Sequence, residues 1–466
     1  MALLGLFLSS LAACGKTEPR PRNAILISID TLRPDFLSCY GHPRETSPAL
    51  DALAARGVRF TDVTAAAPWT LPSHATMLTG LYPRSHGVKS HETRLSASIE
   101  TLAEALVAGG FQTFAAVNTH NIGAPQFQLQ QGFERFEYVS ETHKDAKGRI
   151  QTPNTGPEAV AAAQKFLGAR QREKPFFLFL HLYDAHTDFT HKKEWKETFV
   201  EPYSGKITGR SQQLHGIRNR NERLDEGSLR FLRQMYEAEI RQVDELLADF
   251  FAWLRSEGLY DQTLIVVTSD HGEEFEEHGG LLHGRSEYQE VMHVPLIVCG
   301  PGVPAGRVVE TAVHGVDVTP TILAALGVRS KQAHDGLDLA PAWRGGTLLA
   351  RTFFGEADHN NMVNGKEVSD IKKMVRRGNE KLLYDTHTRE SELFDLDGDP
   401  LEKNNLAAAQ PARATELLAE LERYLATSVR GESIAPPTES EQSLLDALGY
   451  GGGLDDEDQG TGDARQ

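Results

Sequence analysis

The sequence predicts an α/β fold, a sheet covered by helices on both faces, followed by a small α+β subdomain. Three observations carry this reading. Short, continuous apolar runs at residues 23–29, 112–117, 175–182 and 263–269 alternate with helical patterns, which is how buried strands of such a sheet read. Polar chemistry stands just beyond the ends of those runs, at Asp30, Asn118 to His120, His186 and Asp270-His271. Ligands of open α/β sheets bind at that edge. Past about residue 365 the texture changes to short runs separated by turns.

Taken in order, residues 23–29 form a buried, parallel strand, with Asp30 next in the chain. Ser47 as cap, Pro48 at the first helical position and Gly57 as a stop predict a helix over 47–56. A second helix runs from Pro72 through Gly80, and a third over 99–108 ends at Gly109-Gly110. The strand at 112–117, a helix at 158–169 and the strand at 175–182 follow. From residue 187 to about 226 the chain is polar and shows no period, which reads as an insertion or lid over the site. A long amphipathic helix at 228–256, strands at 263–269 and 294–299 and a helix at 319–326 complete the large unit. Residues 371–377, 381–384 and 391–396 suit a small antiparallel sheet, with a helix at 412–426. The chain divides into residues 1–22, a main domain at 23–365, a subdomain at 366–430 and a mostly disordered acidic tail at 431–466.

Composition narrows the function. A net charge of −17 argues against a nucleic-acid partner and against a basic membrane-binding surface. An anionic substrate then needs a locally positive site, which a metal ion supplies. At the N-terminus an apolar stretch runs into Leu11-Ala12-Ala13-Cys14, similar to a bacterial lipobox in which Cys14 is lipidated. The alternative is a chance apolar terminus. On the lipobox reading residues 1–22 are signal and tether, the protein sits lipid-anchored in the bacterial cell envelope, at the outer membrane or periplasmic face, and it meets the membrane only through that anchor. The remaining cysteines, Cys39 and Cys299, read as small buried thiols.

Asp270 and His271 offer one hard oxygen and one imidazole, a set suited to Zn²⁺ or Mn²⁺; the plainer reading is a capping Asp and a surface His. Thr70 precedes the helix that Pro72 opens, where free N–H groups and the dipole favour an anion. Metal coordination could activate its hydroxyl as a nucleophile, although Thr is also a good plain cap.

Four segments carry a family resemblance: Asp30-Thr-Leu-Arg-Pro-Asp35, the run from Thr70 to Gly80 (Thr-Leu-Pro-Ser-His-Ala-Thr-Met-Leu-Thr-Gly), Ser269-Asp-His-Gly-Glu273, and the run from Asp397 to Ala407. Over roughly residues 23–428 the chain resembles the sulfatase branch of the alkaline phosphatase superfamily. Asp317-Val-Thr-Pro-Thr321 resembles a structural segment of that family. Sulfatases carry Cys or Ser in Cys-x-Pro-Ser-Arg and convert it to formylglycine. This chain has Thr70 there, which cannot be converted, and His74 in place of the motif's Arg. The family's second Asp is Thr31 and its Lys is Asn118, while His120 fits a neighbouring family His. The loss of a carboxylate weakens the case for Ca²⁺. What remains is similar to the phosphoethanolamine transferases, which use a Thr nucleophile on one metal and place a Leu-His-Gly after Asp-His at the spacing of His271 to His283; lipoteichoic-acid synthases also use such a Thr.

The resemblance implies an alkaline phosphatase-like three-layer sandwich and metal-dependent hydrolysis of a sulfate or phosphate ester. Thr70 would attack, with one divalent metal on Asp30, Thr70, Asp270 and His271; Zn²⁺ or Mn²⁺ is favoured and Ca²⁺ or Mg²⁺ remains compatible. His186 and His283 would hold the ester oxygens or protonate the leaving group, and His120 and His74 complete the catalytic set. The expected partner is an anionic ester on a small molecule, glycan or lipid headgroup. The alternatives are a phosphoryl-group transferase and a non-catalytic, metal-containing protein that binds an anionic glycan or headgroup.

Overall fold

The computed structural model describes residues 19–140, 142–144, 150–151, 154–189, 192–363, 366–427, 432–434, 438 and 443–445. Cys14, with its lipobox, lies outside the described residues, as does most of the tail after residue 431.

The central sheet has eight strands: β1 (Asn23–Ile29), β2 (Val58–Phe60), β3 (Gln112–Val117), β4 (Arg135–Tyr138), β5 (Phe176–Leu182), β6 (Thr263–Thr268), β7 (Leu296–Cys299) and β8 (Arg307–Val309), in the order β8-β2-β7-β6-β1-β5-β3-β4. β1 lies between β6 and β5, parallel to both. β7 runs antiparallel to β6 and β2, which makes the sheet mixed. Every residue of β1 is buried. Ala24 and Leu26 join one hydrophobic cluster and Ile25, Ile27 and Ile29 the other, so both faces of the strand are covered. That double coverage is why the strand reads as an unbroken apolar run rather than an alternating one.

Helices α1 (Pro48–Ala55), α2 (Thr70–Thr79), α3 (Leu102–Ala108), α4 (Gly156–Gly168), α5 (Lys193–Phe199), α6 (Ser211–Asn219), α7 (Glu226–Ser256) and α8 (Val318–Leu326) surround or extend this sheet. Apolar residues of α2, α3 and α8 pack into the first cluster and those of α1, α4 and α7 into the second. A three-layer α/β sandwich results. A four-stranded antiparallel sheet, β9 (Thr352–Gly355), β10 (Lys372–Arg377), β11 (Glu380–Asp385) and β12 (Ser391–Asp395), packs against α9 (Pro411–Leu425). Its edge strand β9 lies upstream of residue 366, so the small sheet begins before the boundary that composition suggested.

Several local readings are corrected. The 187–226 stretch is not irregular: it contains α5 and α6, too short and polar to show a period. Ser47 does not cap α1 with its side chain. The Asp244 carboxylate of α7 accepts from the N–H groups of Ala49 and Leu50 instead, at 2.8 and 2.9 Å. Gly57 ends that helix without a left-handed turn; a Cβ there would lie 2.2 Å from the Val298 carbonyl oxygen, so close strand approach requires the glycine. Cys39 is only partly buried, whereas Cys299 is buried. Within the tail, Glu432–Ser433 pairs with Thr93–Arg94, and Leu445 is buried in the first cluster.

Candidate active site

The register of the central strands assembles the site. Ser28 pairs with Thr268 on one side and His181 on the other, so the ends of β1, β5 and β6 bring Asp30, His181 and Asp270 to one place. Oδ1 of Asp30 lies 3.7 Å from Nε2 of His271, and Oδ2 lies 3.4 Å from Nε2 of His181. Oδ2 of Asp270 lies 3.4 Å from the same His271 nitrogen. Asp30, Asp270 and His271 form one group with metal-ligand spacing, and His74, His181 and Asp270 form a second that shares Asp270. All five side chains are buried.

Hydrogen bonds fix how these groups face each other. His271 Nδ1 donates to the Gly272 carbonyl at 2.9 Å, which leaves the Nε2 lone pair toward the carboxylates. His181 Nδ1 donates to Oδ1 of Asn118 at 3.3 Å, an oxygen that also accepts from the Tyr183 N–H at 2.9 Å. Nε2 of His181, Oδ2 of Asp270 and the Thr31 hydroxyl have no hydrogen-bond partner among the described residues, although all are buried. Buried polar atoms are rarely left this way. Two carboxylates, oriented imidazole lone pairs and orphaned oxygen and nitrogen atoms fit a divalent cation. Burial opposes the charge on Asp270, but His271, His74 and His181 outweigh it and hold the carboxyl below its usual range.

Thr70 is the first residue of α2, not the residue before it; the cap position belongs to Trp69, and no side chain caps this helix end. The Thr70 hydroxyl instead faces the cluster, 3.5 Å from Nε2 of His271. Ser73, one turn on, donates to the Asp270 carbonyl at 2.7 Å and ties the helix to the end of β6.

His74 lies behind the hydroxyl. Its Nδ1 donates to the Thr70 carbonyl at 2.8 Å and its Nε2 meets the Ser28 hydroxyl at 2.9 Å. Burial pushes His74 down to about 3 and His181 down to about 4, so both rings are neutral near pH 7. The ring of His283 stands 4.4 Å from that of His271 and 4.9 Å from that of His186. His186 Nδ1 donates to the Thr187 carbonyl at 2.5 Å, and His283 Nδ1 meets Oε1 of Glu273 at 3.1 Å. Burial lowers both imidazoles, His186 to about 4. Burial and the neighbouring Asp30 charge push Glu273 well above the usual carboxylate range.

The structure thus brings Asp30, Thr70, His74, His186, Asp270, His271 and His283 together. His120 stands farther out: its ring packs on Phe127 at 6.0 Å, and the His91 beside it in turn packs on Trp69 at 4.9 Å. His278 lies elsewhere, stacked on Tyr288 and bonded to Glu290. The sequence reading did not select His181, whose one signal was a lone imidazole inside the apolar run Phe-Phe-Leu-Phe-Leu-His-Leu. His359, against Trp69 at 4.4 Å, and Arg218, bonded to the His283 carbonyl, gave no signal in sequence, because the former lies far along the chain and the latter in the polar insertion.

Comparison with solved structures supports the architecture. The phosphonate monoester hydrolase of Agrobacterium radiobacter superposes with a TM-score of 0.71 at 24% identity, over 90% of this chain and 100% of that one. The fold is alkaline phosphatase-like.

The family model "Sulfatase" matches residues 22–328, and the model "N-sulphoglucosamine sulphohydrolase, C-terminal" matches residues 276–430. The chain belongs to the sulfatase family. Among curated relatives, the "Multifunctional alkaline phosphatase superfamily protein PehA" of Trinickia caryophylli is 27% identical over 84% of this chain and 92% of its own length. The choline-sulfatase of Rhizobium meliloti (strain 1021) is 26% identical over 83% and 82% respectively.

Proposed function

We propose that this site cleaves anionic esters at phosphorus, phosphate or phosphonate, through direct attack by the Thr70 hydroxyl. The carrying observation is that this hydroxyl caps nothing and points at the Asp30–Asp270–His271 cluster, 3.5 Å from His271. Asp30, Asp270 and His271 would hold one divalent cation with Thr70 beside it, and His181 flanks Asp30. Such a cation, when bound, lowers the pKa of the nucleophile and offsets the charge of the ester.

The remaining work falls to the protein's own groups. His74 holds the first turn of α2 through the Thr70 carbonyl and so positions the hydroxyl. Thr70 Oγ forms a bond to phosphorus as the bond to the leaving oxygen breaks, and the hydroxyl proton ends on solvent. An anionic ester beside His186 and His283 favours their charged forms, so each takes a proton from solvent on Nε2, orients the ester oxygens and passes that proton to the leaving oxygen. Water then cleaves the Thr70–phosphoryl bond, releases the acid and restores the hydroxyl. A sulfate ester would leave a plain Thr–sulfate, which lacks the hydrate route by which formylglycine sheds sulfate; this supports phosphorus over sulfur.

The test is a panel of 4-nitrophenyl sulfate, phosphate, phenylphosphonate and phosphodiester, with mass analysis of the quenched enzyme for a covalent adduct on Thr70. A phosphorus ester should be the best substrate. If sulfate esters are cleaved faster than every phosphorus ester, the Thr-phosphoryl reading is wrong.

Cys14, in Leu11-Ala12-Ala13-Cys14, is proposed as a lipid anchor to the bacterial envelope. A Cys14→Ser protein that still fractionates with membranes in the native host would refute it.

A further inference from the structure

Two guanidinium groups flank His283. Arg218, on α6, donates through Nη1 to the His283 carbonyl at 3.0 Å and through Nη2 to Nδ1 of His215 at 2.8 Å. Arg285 donates through Nη2 to Oδ1 of Asn219 at 2.6 Å, the residue after Arg218. The Nε of each is buried with no acceptor. Among the described residues neither guanidinium has a carboxylate within 4.0 Å. The acids that Arg218 feels are Glu273, Glu274 and Glu367, with the neighbouring Arg285 acting in the opposite direction.

In a chain of net charge −17, two neighbouring cations without an ion pair among the described residues are an exception to the general composition, although Glu367 and Glu274 act on Arg285 from farther off. Cations so placed repel each other, and an oxyanion between them would relieve the repulsion. They are also joined to the reaction centre. Gly284 separates His283 from Arg285, with φ +93 and a Cβ position only 2.6 Å from Nε2 of His359. The His359 ring packs on Trp69, the residue before Thr70. Trp69, His91 and His359 line a cavity of about 530 Å³, which has room for the organic part of an ester.

We propose that Arg218 and Arg285 form a second anion subsite, which receives an anionic group carried on the leaving-group side of the ester. The group is a carboxylate or a second sulfate or phosphate, all of which offer paired oxygens to a guanidinium fork. The proposal rests on the reading that the ester binds at Thr70 beside His283.

The test compares non-hydrolysable ligands by titration calorimetry: 3-sulfobenzoate and benzene-1,3-disulfonate against 3-sulfobenzamide, which has the same shape but a neutral arm. Wild-type protein should bind the two dianions about ten- to a hundredfold more tightly than the amide. The ratio should collapse toward unity in Arg218→Gln and in Arg285→Gln. The tighter of the two dianions shows whether the subsite prefers carboxylate or sulfate-type oxygens. Equal affinities in the wild type, absence of binding included, overturn the subsite. The same ratio read as kcat/KM on the 3-carboxyphenyl and 3-carbamoylphenyl phosphates separates the two readings. A retained calorimetric preference with no turnover of either ester counts against the Thr70 chemistry and leaves the subsite standing. Arg285→Gln, away from the buried contacts of α6, keeps the test valid if Arg218→Gln fails to fold.

Discussion

Nε2 of His181 lies 3.4 Å from Oδ2 of Asp30, across the boundary between two parallel strands. This pairing joins a residue that ends β1 to one buried within β5, and it adds an imidazole to the Asp30–Asp270–His271 group. Metal analysis should therefore find one divalent ion per chain in the wild type and close to none in Asp270→Ala or His271→Ala. His181→Ala should retain the ion with weaker affinity. Unchanged stoichiometry in the Asp270 and His271 variants would mean that these residues are not the ligands.

Thr70→Ala should separate catalysis from folding cleanly. The side chain caps no helix, so its loss removes no cap energy, and the ligand cluster remains. Turnover of the best ester should fall at least about a thousandfold, roughly 4 kcal/mol of barrier, with little change in thermal unfolding. Thr70→Ser should keep measurable activity. Full activity in Thr70→Ala would assign the attack to water instead.

Asn118, which the resemblance matches to the family's Lys, holds the His181 ring. Its carbonyl oxygen accepts from His181 Nδ1, while its amide contacts Thr155 and Asp184 at 3.2 and 3.4 Å. Burial and the nearby Glu239 push Asp184 up to about 7, so that carboxyl sits close to its midpoint at neutral pH. Asn118→Ala should free the His181 ring and lower metal affinity about ten- to a hundredfold, as loss of a supporting hydrogen bond does elsewhere. Asn118→Asp, which keeps an acceptor, should recover part of it. Equal affinity in all three proteins, read by chelator competition, would remove Asn118 from this role.

Acid should destabilise the fold through histidines remote from the reaction. Nδ1 of His86 accepts from the Val88 N–H and Nδ1 of His314 from the Val316 N–H, at 3.0 and 3.1 Å, so both rings are held neutral with the proton on Nε2. Burial lowers each to about 3 from an ordinary 6.5. Below pH 6.5 the unfolded chain takes up protons that the folded chain refuses, so stability is full above that value and declines as pH falls toward 3. Each ring contributes a slope of up to about 1.4 kcal/mol per pH unit. Urea midpoints between pH 7 and 5 should fall with acid, and His86→Gln should flatten the decline. A pH-independent midpoint would contradict the buried neutral state.

Much of this was legible in the chain. Apolar runs marked the parallel strands because both of their faces are buried, and Asp30, Thr70, Asp270 and His271 stood out as polar residues at strand and helix ends. His181 did not, since a side chain inside a strand announces no direction until register is known. Arg218 was hidden for another reason: α6 lies in a polar insertion, and the contact that brings Arg218 to the site is with His283, far along the chain. Asp244 took over the cap expected of Ser47 because only the packing of α7 on α1 brings it there. Thr70 looked like a cap because Thr is a good capping residue and Pro72 marks a first turn, whereas the helix begins at Thr70 itself.

Tyr236 of α7 holds the turn that aims Asp30. Its hydroxyl donates to the Thr31 carbonyl at 2.6 Å and accepts from the Arg33 N–H at 2.9 Å, across a Thr31 whose φ is +55. Farther along the same helix, Asp244 grips the start of α1. These two grips make α7 intolerant of changes in phase. One residue inserted between Ser228 and Tyr236 would rotate the Tyr236 side chain by roughly 100° and pull it off the turn. The insertion that precedes Glu226 carries no such constraint, because loop length changes closure entropy only slowly. Residues can be added within 200–210 while the angle of Asp30 stays set by a helix whose register they cannot reach.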